Sequence, residues 1–205
     1  MTTIKLGSRG SDVAELQRRL GLNADGIFGP VTLKAVKKFQ SEHGLEPDGV
    51  VGPLTWRMIE GGNTTSLKKS KRHINEIIVH CSATVEGKNY TVEQIRQWHL
   101  QRGFNDIGYH YVIYLDGTLH DGRDVDKTGA HCTGHNAHSI GICYIGGLDS
   151  NQNPKDTRTV EQKRTMIKLI RDLKTMYPKA VVHGHRDFAT KACPCFDAYK
   201  EYYRI

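Results

Sequence analysis

Eleven histidines and five cysteines are spread over 205 residues, and a few of them stand where they could hold a metal ion. His80 ends the apolar run Glu76-Ile77-Ile78-Val79-His80, where a side chain can leave a core strand for a cleft. His183 and His185 flank Gly184 at the end of a second short run, 180–183, and Cys193 and Cys195 follow across a loop. Two imidazoles and a thiolate suit zinc, a borderline-soft ion with tetrahedral geometry and no redox demand. The residues permit two groupings. One is an open site of His80, His185 and Cys193, leaving a fourth position for water. The other is a closed structural site of His183, His185, Cys193 and Cys195. Against the closed site, side chains at i and i+2 of a strand sit about 7 Å apart, and the gaps differ from those of short zinc knuckles. Spacing alone leaves both standing. His43, His73 and His120 read as ordinary imidazoles, and Cys81, next to His80 on a strand, points to the opposite face and into the core.

Two kinds of elements must position these groups. The first sixty residues repeat a signal: Asp25-Gly26-Ile27-Phe28-Gly29-Pro30-Val31-Thr32 returns as Asp48-Gly49-Val50-Val51-Gly52-Pro53-Leu54-Thr55. Asp-Gly makes a tight turn, and proline after glycine suits the first position of a helix. A further helix precedes both, with Ser11 as N-cap and Val13, Leu16 and Leu20 as its apolar stripe. This predicts a small three-helix unit over 1–61. The polar, glycine-led and basic stretch from Gly61 to Arg72 reads as a linker, 62–73. From 74 to 205 the periods alternate. Short β-branched runs at 76–80, 139–144 and 180–183, and a hairpin over 109–120, are interleaved with helices. One helix opens at the capping box Thr91-Val92-Glu93-Gln94, another runs over 159–177, and a short one closes the chain at 196–203. The predicted architecture has two domains: a small all-α three-helix domain, then an α/β domain with a central mixed β-sheet flanked by helices.

Charge and composition narrow the partners. The formal net charge of +7 favours anionic partners, among them nucleic acid, lipid headgroups and the acidic polymers of a bacterial wall. No nucleic-acid motif is present, and no apolar run approaches a membrane span. The cysteine count is odd and forms no compact framework, so reduced thiols with a metal role are expected. Met1-Thr2-Thr3-Ile4-Lys5 shows no apolar core of a signal peptide, which predicts synthesis in the cytoplasm and release by lysis or a non-classical route.

Several motifs carry a family resemblance. Ile78-Val79-His80-Cys81-Ser82-Ala83-Thr84, Ile95-Arg96-Gln97-Trp98-His99, Gly108-Tyr109-His110-Tyr111, His138-Ser139-Ile140-Gly141-Ile142 with Gly146-Gly147, and His185-Arg186-Asp187 with Lys191-Ala192-Cys193-Pro194 span the second module. Together they resemble the zinc-dependent N-acetylmuramoyl-L-alanine amidases, especially the small phage lysozymes of amidase type, which are related to peptidoglycan recognition proteins. The first module, through its repeat and Ala35-Val36-Lys37-Lys38-Phe39-Gln40, resembles the three-helix peptidoglycan-binding domain often fused to wall hydrolases.

The resemblance implies a peptidoglycan substrate, cleaved at the amide between the lactyl group of N-acetylmuramic acid and L-alanine of the stem peptide. It implies Zn2+ on His80, His185 and Cys193, with Lys191 and Tyr109 as catalytic residues. Lys191 would stabilise the tetrahedral oxyanion, and Tyr109 would orient water or pass a proton. His131, in Gly129-Ala130-His131-Cys132-Thr133-Gly134, lies in a segment that borders the family's cleft and is a candidate substrate contact. Cys143 stands where wider-family members carry a glutamate general base, and Cys195 where similar enzymes have a serine. Two rivals are a peptidoglycan binder without cleavage and a zinc peptidase acting within the stem. Cys193 and Tyr109 argue against the binder. A phage endolysin or a bacterial autolysin, acting as a monomer, fits these features.

Overall fold

A computed structural model describes residues 2–43, 45–59 and 67–205. The chain divides into two compact units, Met1–Thr64 and Thr65–Ile205.

The first unit holds α1 (Ser11–Arg19), α2 (Pro30–Glu42) and α3 (Pro53–Ile59). Its core gathers Ile4, Val13, Leu16, Phe28, Val36, Val51 and Trp56. The echo seen in the sequence extends further than the Asp-Gly and Gly-Pro signals. Gln17 is buried, donates from Nε2 to Asp25 Oδ1 (2.8 Å) and Ile27 O (3.0 Å), and accepts from Gly26 N–H (2.9 Å). Gln40 is buried too and repeats the pattern with Asp48 Oδ1 (2.9 Å), Val50 O (3.0 Å) and Gly49 N–H (2.9 Å). Each glutamine thus satisfies the turn groups that a small core leaves unpaired. Ser11 does not cap α1: the N-cap is Gly10, at φ 121, a conformation that costs glycine little. Its N–H bonds Gly26 O (3.0 Å), so the cap position is committed to tying the first turn to the helix.

The second unit is built on a five-stranded sheet in the order β4-β3-β5-β1-β7. The strands are β1 (Glu76–Cys81), β3 (Tyr111–Ile113), β4 (Leu119–Asp121), β5 (Ser139–Tyr144) and β7 (Val181–Gly184). β1, β3, β5 and β7 run parallel, while β3 and β4 pair antiparallel, so the sheet is mixed as the alternating periods predict. A two-residue pairing of β2 (Thr84–Val85) with β6 (Gly147–Leu148) was not legible in the sequence. α5 (Val160–Met176) contributes Met166, Leu169, Ile170 and Leu173 to the core with Ile77, Val79, Ile140 and Ile142. α4 (Val92–Gln101) contributes Ile95 to a cluster with Val112 and Cys143, residues of opposite strand parity. Both helices open with the full capping box, at Thr91/Gln94 and Thr159/Gln162. α6 (Ala198–Tyr202) is N-capped by Asp197.

The stretch expected as a linker falls in two parts. Residues 62–66 lie outside the described residues. Residues 67–73 belong to the second unit: Ser70 is buried, with its N–H on Tyr177 Oη (2.6 Å) and its hydroxyl on Val125 O (2.6 Å). Arg72 donates to Val125 O (2.8 Å), Asn136 O (3.0 Å) and Ser139 O (3.1 Å). Polar composition resembled a linker here because the contacts that hold the segment are themselves polar and long-range. Among the described residues no helix is long and apolar enough to cross a membrane.

Candidate metal centre

The parallel strands bring the site together at their carboxyl ends, where open α/β sheets leave a crevice. His80 is the fifth residue of β1, in register with Cys143 of β5. Parity therefore turns His80 away from Val79 and Cys81, toward the α4 face. β7 ends at Gly184 and passes into a 3-10 turn, His185–Asp187, which delivers His185 beside His80 with ring centroids 4.6 Å apart. The loop bearing Cys193 is folded back on this turn: Arg186 N–H donates to Cys193 O (2.7 Å), and Tyr144 Oη donates to Pro194 O (2.7 Å). A side chain at Gly184 would meet Pro194 Cδ at 2.8 Å, so glycine is what lets the loop approach.

One ligand atom from each of His80, His185 and Cys193 lies within 4.8 Å of the others, and among the described residues they form the single such group. His80 Nδ1 is 3.9 Å from Cys193 Sγ. Zinc–ligand lengths with a tetrahedral angle require a separation of about 3.5 Å, so the trio fits the ion with a small adjustment. Burial, together with the charges of His131, His185 and Lys191, holds the His80 imidazole well below its ordinary pKa. His185 is lowered as well, by burial and then by Lys191. Both stay neutral at pH 7, with lone pairs free to ligate. Cys81 N–H points at Cys193 Sγ (3.3 Å), which holds the sulfur on the His80 side of the loop.

The closed grouping of four ligands does not assemble. His183 Nδ1 faces Asp187 Oδ2 (3.6 Å) and its ring lies against Phe188. Cys195, at φ 70, sends its thiol to Gly147 O (3.2 Å) and stands 3.9 Å from Cys81 Sγ. Cys81 is in the core, as parity predicts.

The remaining predicted residues surround the trio unequally. Tyr109 packs its ring 5.1 Å from that of His80. Its phenol is held well above its ordinary pKa by burial and by the neighbouring cysteines, so in the metal-free site it is neutral. Lys191 is exposed, and its charge reaches both His80 and His185. Cys143 is fully buried, and burial raises its thiol pKa strongly, so it offers no proton acceptor at neutral pH. His131 does not stand open to the cleft. It is buried behind His80, with Nδ1 3.0 Å from His80 Nε2 and Nε2 3.3 Å from Ser139 Oγ. A side chain at Gly129 or at Gly141 would meet His131 Cδ2 at 2.5 Å, so both glycines make room for its ring.

Behind this layer, sequence inspection missed two histidines with a structural duty. His110 Nδ1 accepts from Gly141 N–H (2.9 Å), and His99 Nδ1 accepts from Gly108 N–H (2.9 Å). Burial is the main cause that brings each to about 4. A histidine whose folded pKa lies below its unfolded value of about 6.5 stabilises the fold fully above pH 6.5 and less as pH falls toward 4. For His110, which is wholly buried, the loss reaches up to about 3 kcal/mol. Urea denaturation of the metal-free protein at pH 7 and pH 5 should show about 2 kcal/mol of this loss, the remainder appearing as pH falls below 4. His110→Asn, whose Oδ1 can accept the same N–H without titrating, should flatten it.

Comparison with known proteins follows the same division. Residues 9–59 match the model of the peptidoglycan binding domain family, and residues 70–196 match the N-acetylmuramoyl-L-alanine amidase model. The endolysin of Enterobacteria phage K11 is 42% identical over 127 residues, 62% of this chain and 84% of that protein. The endolysin of Escherichia phage T7 is 41% identical over 129 residues, 63% of this chain and 85% of that protein. Among solved structures, the N-acetylmuramoyl-L-alanine amidase LysC from Clostridium intestinale superposes with a TM-score of 0.54 at 31% identity, covering 63% of this chain and 82% of that one.

Proposed function

The chain belongs to the N-acetylmuramoyl-L-alanine amidase family, whose reaction is hydrolysis of the amide between N-acetylmuramic acid and L-alanine in peptidoglycan, and we propose that it performs this reaction at a zinc ion held by His80, His185 and Cys193. The observation that carries the metal assignment is the convergence of these three ligand atoms within 4.8 Å at the carboxyl end of β1. Zinc, when bound, lowers the pKa of a water it holds to around 7 and polarises the scissile carbonyl.

The chain's own residues supply the rest. Lys191 offers an ammonium to the oxyanion that develops on the carbonyl oxygen. Tyr109, beside His80, orients the attacking water and relays the proton that water gives up to the leaving amine of L-alanine, so that the phenol ends the step protonated as it began. A dication nearby draws its pKa back from the metal-free value. Cys143, buried and protonated, takes no part as base. The N-terminal unit holds the enzyme to the wall, and export by lysis followed by action as a monomer completes the reading. Digestion of purified sacculi with mass spectrometry of the fragments tests it. The expected products are lactyl carboxyl ends and free L-alanine amino ends, lost with a chelator and restored by zinc. Cuts within the stem peptide, or no cuts, would overturn it.

His131 acts through His80. If His80 ligates through Nδ1, its Nε2 carries the proton and donates to His131 Nδ1, which fixes both tautomer and ring orientation. His131→Ala is expected to weaken zinc affinity about 10- to 100-fold in a chelator competition, and His131→Asn, which keeps an acceptor near the same place, to recover much of it.

A further inference from the structure

His131, with Nδ1 3.0 Å from His80 Nε2, sits on a long loop between β4 and β5. Among the described residues from 122 to 138 the one regular element is the 3-10 turn Asn136–His138, so no ladder of strand or helix bonds holds this loop. The ring lies between Gly129 and Gly141, and neither has a Cβ to fix its tilt. One side of the loop is tied by Ala130 N–H to Gly108 O (3.1 Å). The other side is tied by two residues. Asn136 Oδ1 accepts from His131 N–H and from Cys132 N–H, at 2.9 Å each, and the Ser139 hydroxyl meets His131 Nε2 at 3.3 Å.

Arg72 grips both of these residues by their main chain. Nη1 donates to Asn136 O (3.0 Å) and Ala137 O (3.3 Å), and Nη2 donates to Ser139 O (3.1 Å). Nε donates to Val125 O (2.8 Å), near the other end of the same loop. Nη2 also lies 3.1 Å from His110 Nε2, and the His110 ring stands edge-on to that of His131 at 5.6 Å. A guanidinium presents its donors in a rigid planar fork, so carbonyls that share it are held at fixed relative positions. All four hydrogen bonds end on main-chain carbonyls between Val125 and Ser139. Charge pairing does not account for such an arrangement, whereas anchoring a loop does.

We propose that Arg72 is a positioning residue of the metal centre, acting through the loop and His131 on the ligand His80. The inference rests on the zinc reading. The path is continuous: the guanidinium holds Asn136 and Ser139, these hold the backbone and ring of His131, and His131 accepts from His80 Nε2. Without the fork the 136–139 end of the loop is released, the His131 ring is free to tilt between its two glycines, and His80 loses a fixed acceptor. Zinc affinity then falls although all three ligands are present. The stretch whose composition reads as a linker thus carries part of the support of the metal site.

The test is chelator competition for zinc on the full-length protein, arranged as a double-mutant cycle. Arg72→Ala is expected to weaken zinc affinity about tenfold, the lower end for an outer partner of a ligand. In the His131→Ala background the same substitution should cost less than about twofold, because the path to His80 is already cut. Arg72→Lys keeps the charge but not the fork, and should weaken zinc about threefold or more with the same dependence on His131. It carries the test if the alanine variant does not fold. Tyr177→Phe is the structural control. It removes the acceptor of Ser70 N–H (2.6 Å) and loosens the same segment without touching the fork, so zinc affinity should stay within about twofold of wild type. Equal losses from the Arg72 variants with and without His131, wild-type affinity in either Arg72 variant, or a loss in Tyr177→Phe as large as in Arg72→Ala would overturn the proposal. A wild type that takes up no zinc would strike the metal reading itself.

Discussion

Cys193→Ala should leave a folded protein that holds no zinc and releases stem peptides at least about three orders of magnitude more slowly, since the metal is worth several kcal/mol to the transition state. The thiol sits on the surface loop between the His185 turn and Pro194, and that loop is held by backbone contacts, Arg186 N–H to Cys193 O and Tyr144 Oη to Pro194 O, which the substitution does not touch. Loss of metal is therefore expected without loss of fold. Metal content by mass spectrometry and fragment release from sacculi, measured on one preparation, check both halves. Cys195→Ser is the control. Its thiol faces Gly147 O and Cys81, so zinc and rate should persist. A rate that collapses with Cys195 as it does with Cys193 would restore the closed four-ligand grouping.

Lys191→Ala should lower kcat about 10²- to 10³-fold while zinc content stays at one per chain, the scale seen when one oxyanion donor is removed. The lysine is exposed and makes its electrostatic influence felt on His80 and His185, so it is close enough to act and free enough to be replaced without disturbing the core. Tyr109→Phe should reduce kcat on a similar scale and also keep zinc, since its ring packing against His80 survives removal of the hydroxyl. Zinc content and kcat measured together decide these assignments. A variant of either residue that turns over at the wild-type rate removes that residue from the mechanism.

His80 was legible because a β-branched run ending in histidine has one physical outcome, a core strand whose last side chain reaches the cleft. Cys193 was legible as a member of a His/Cys group, but the choice between the open and closed groupings required the family resemblance. In three dimensions the choice has a plain cause: the turn at Cys195, with its positive φ, rotates that thiol to Gly147 O, and Asp187 stands beside His183. The placement of His131 illustrates the opposite case. It lies 51 residues from His80 in a loop of unremarkable composition, and its approach depends on two glycines from different segments.

The sequence by itself determined the class of the protein: a helical repeat unit followed by an alternating α/β unit, a zinc-compatible donor set, and, once the motifs were matched, the three residues proposed to hold the ion. These are properties of local period, turn chemistry and donor type. The tertiary structure alone decided that residues 67–73 are docked rather than linking, that Gln17 and Gln40 close the two turns of the first unit, that Gly10 rather than Ser11 caps α1, and that His131 is buried behind His80. Each of these depends on which polar groups meet across long stretches of chain. A residue's own type limits the bonds it can make, but only the packed fold chooses the partner.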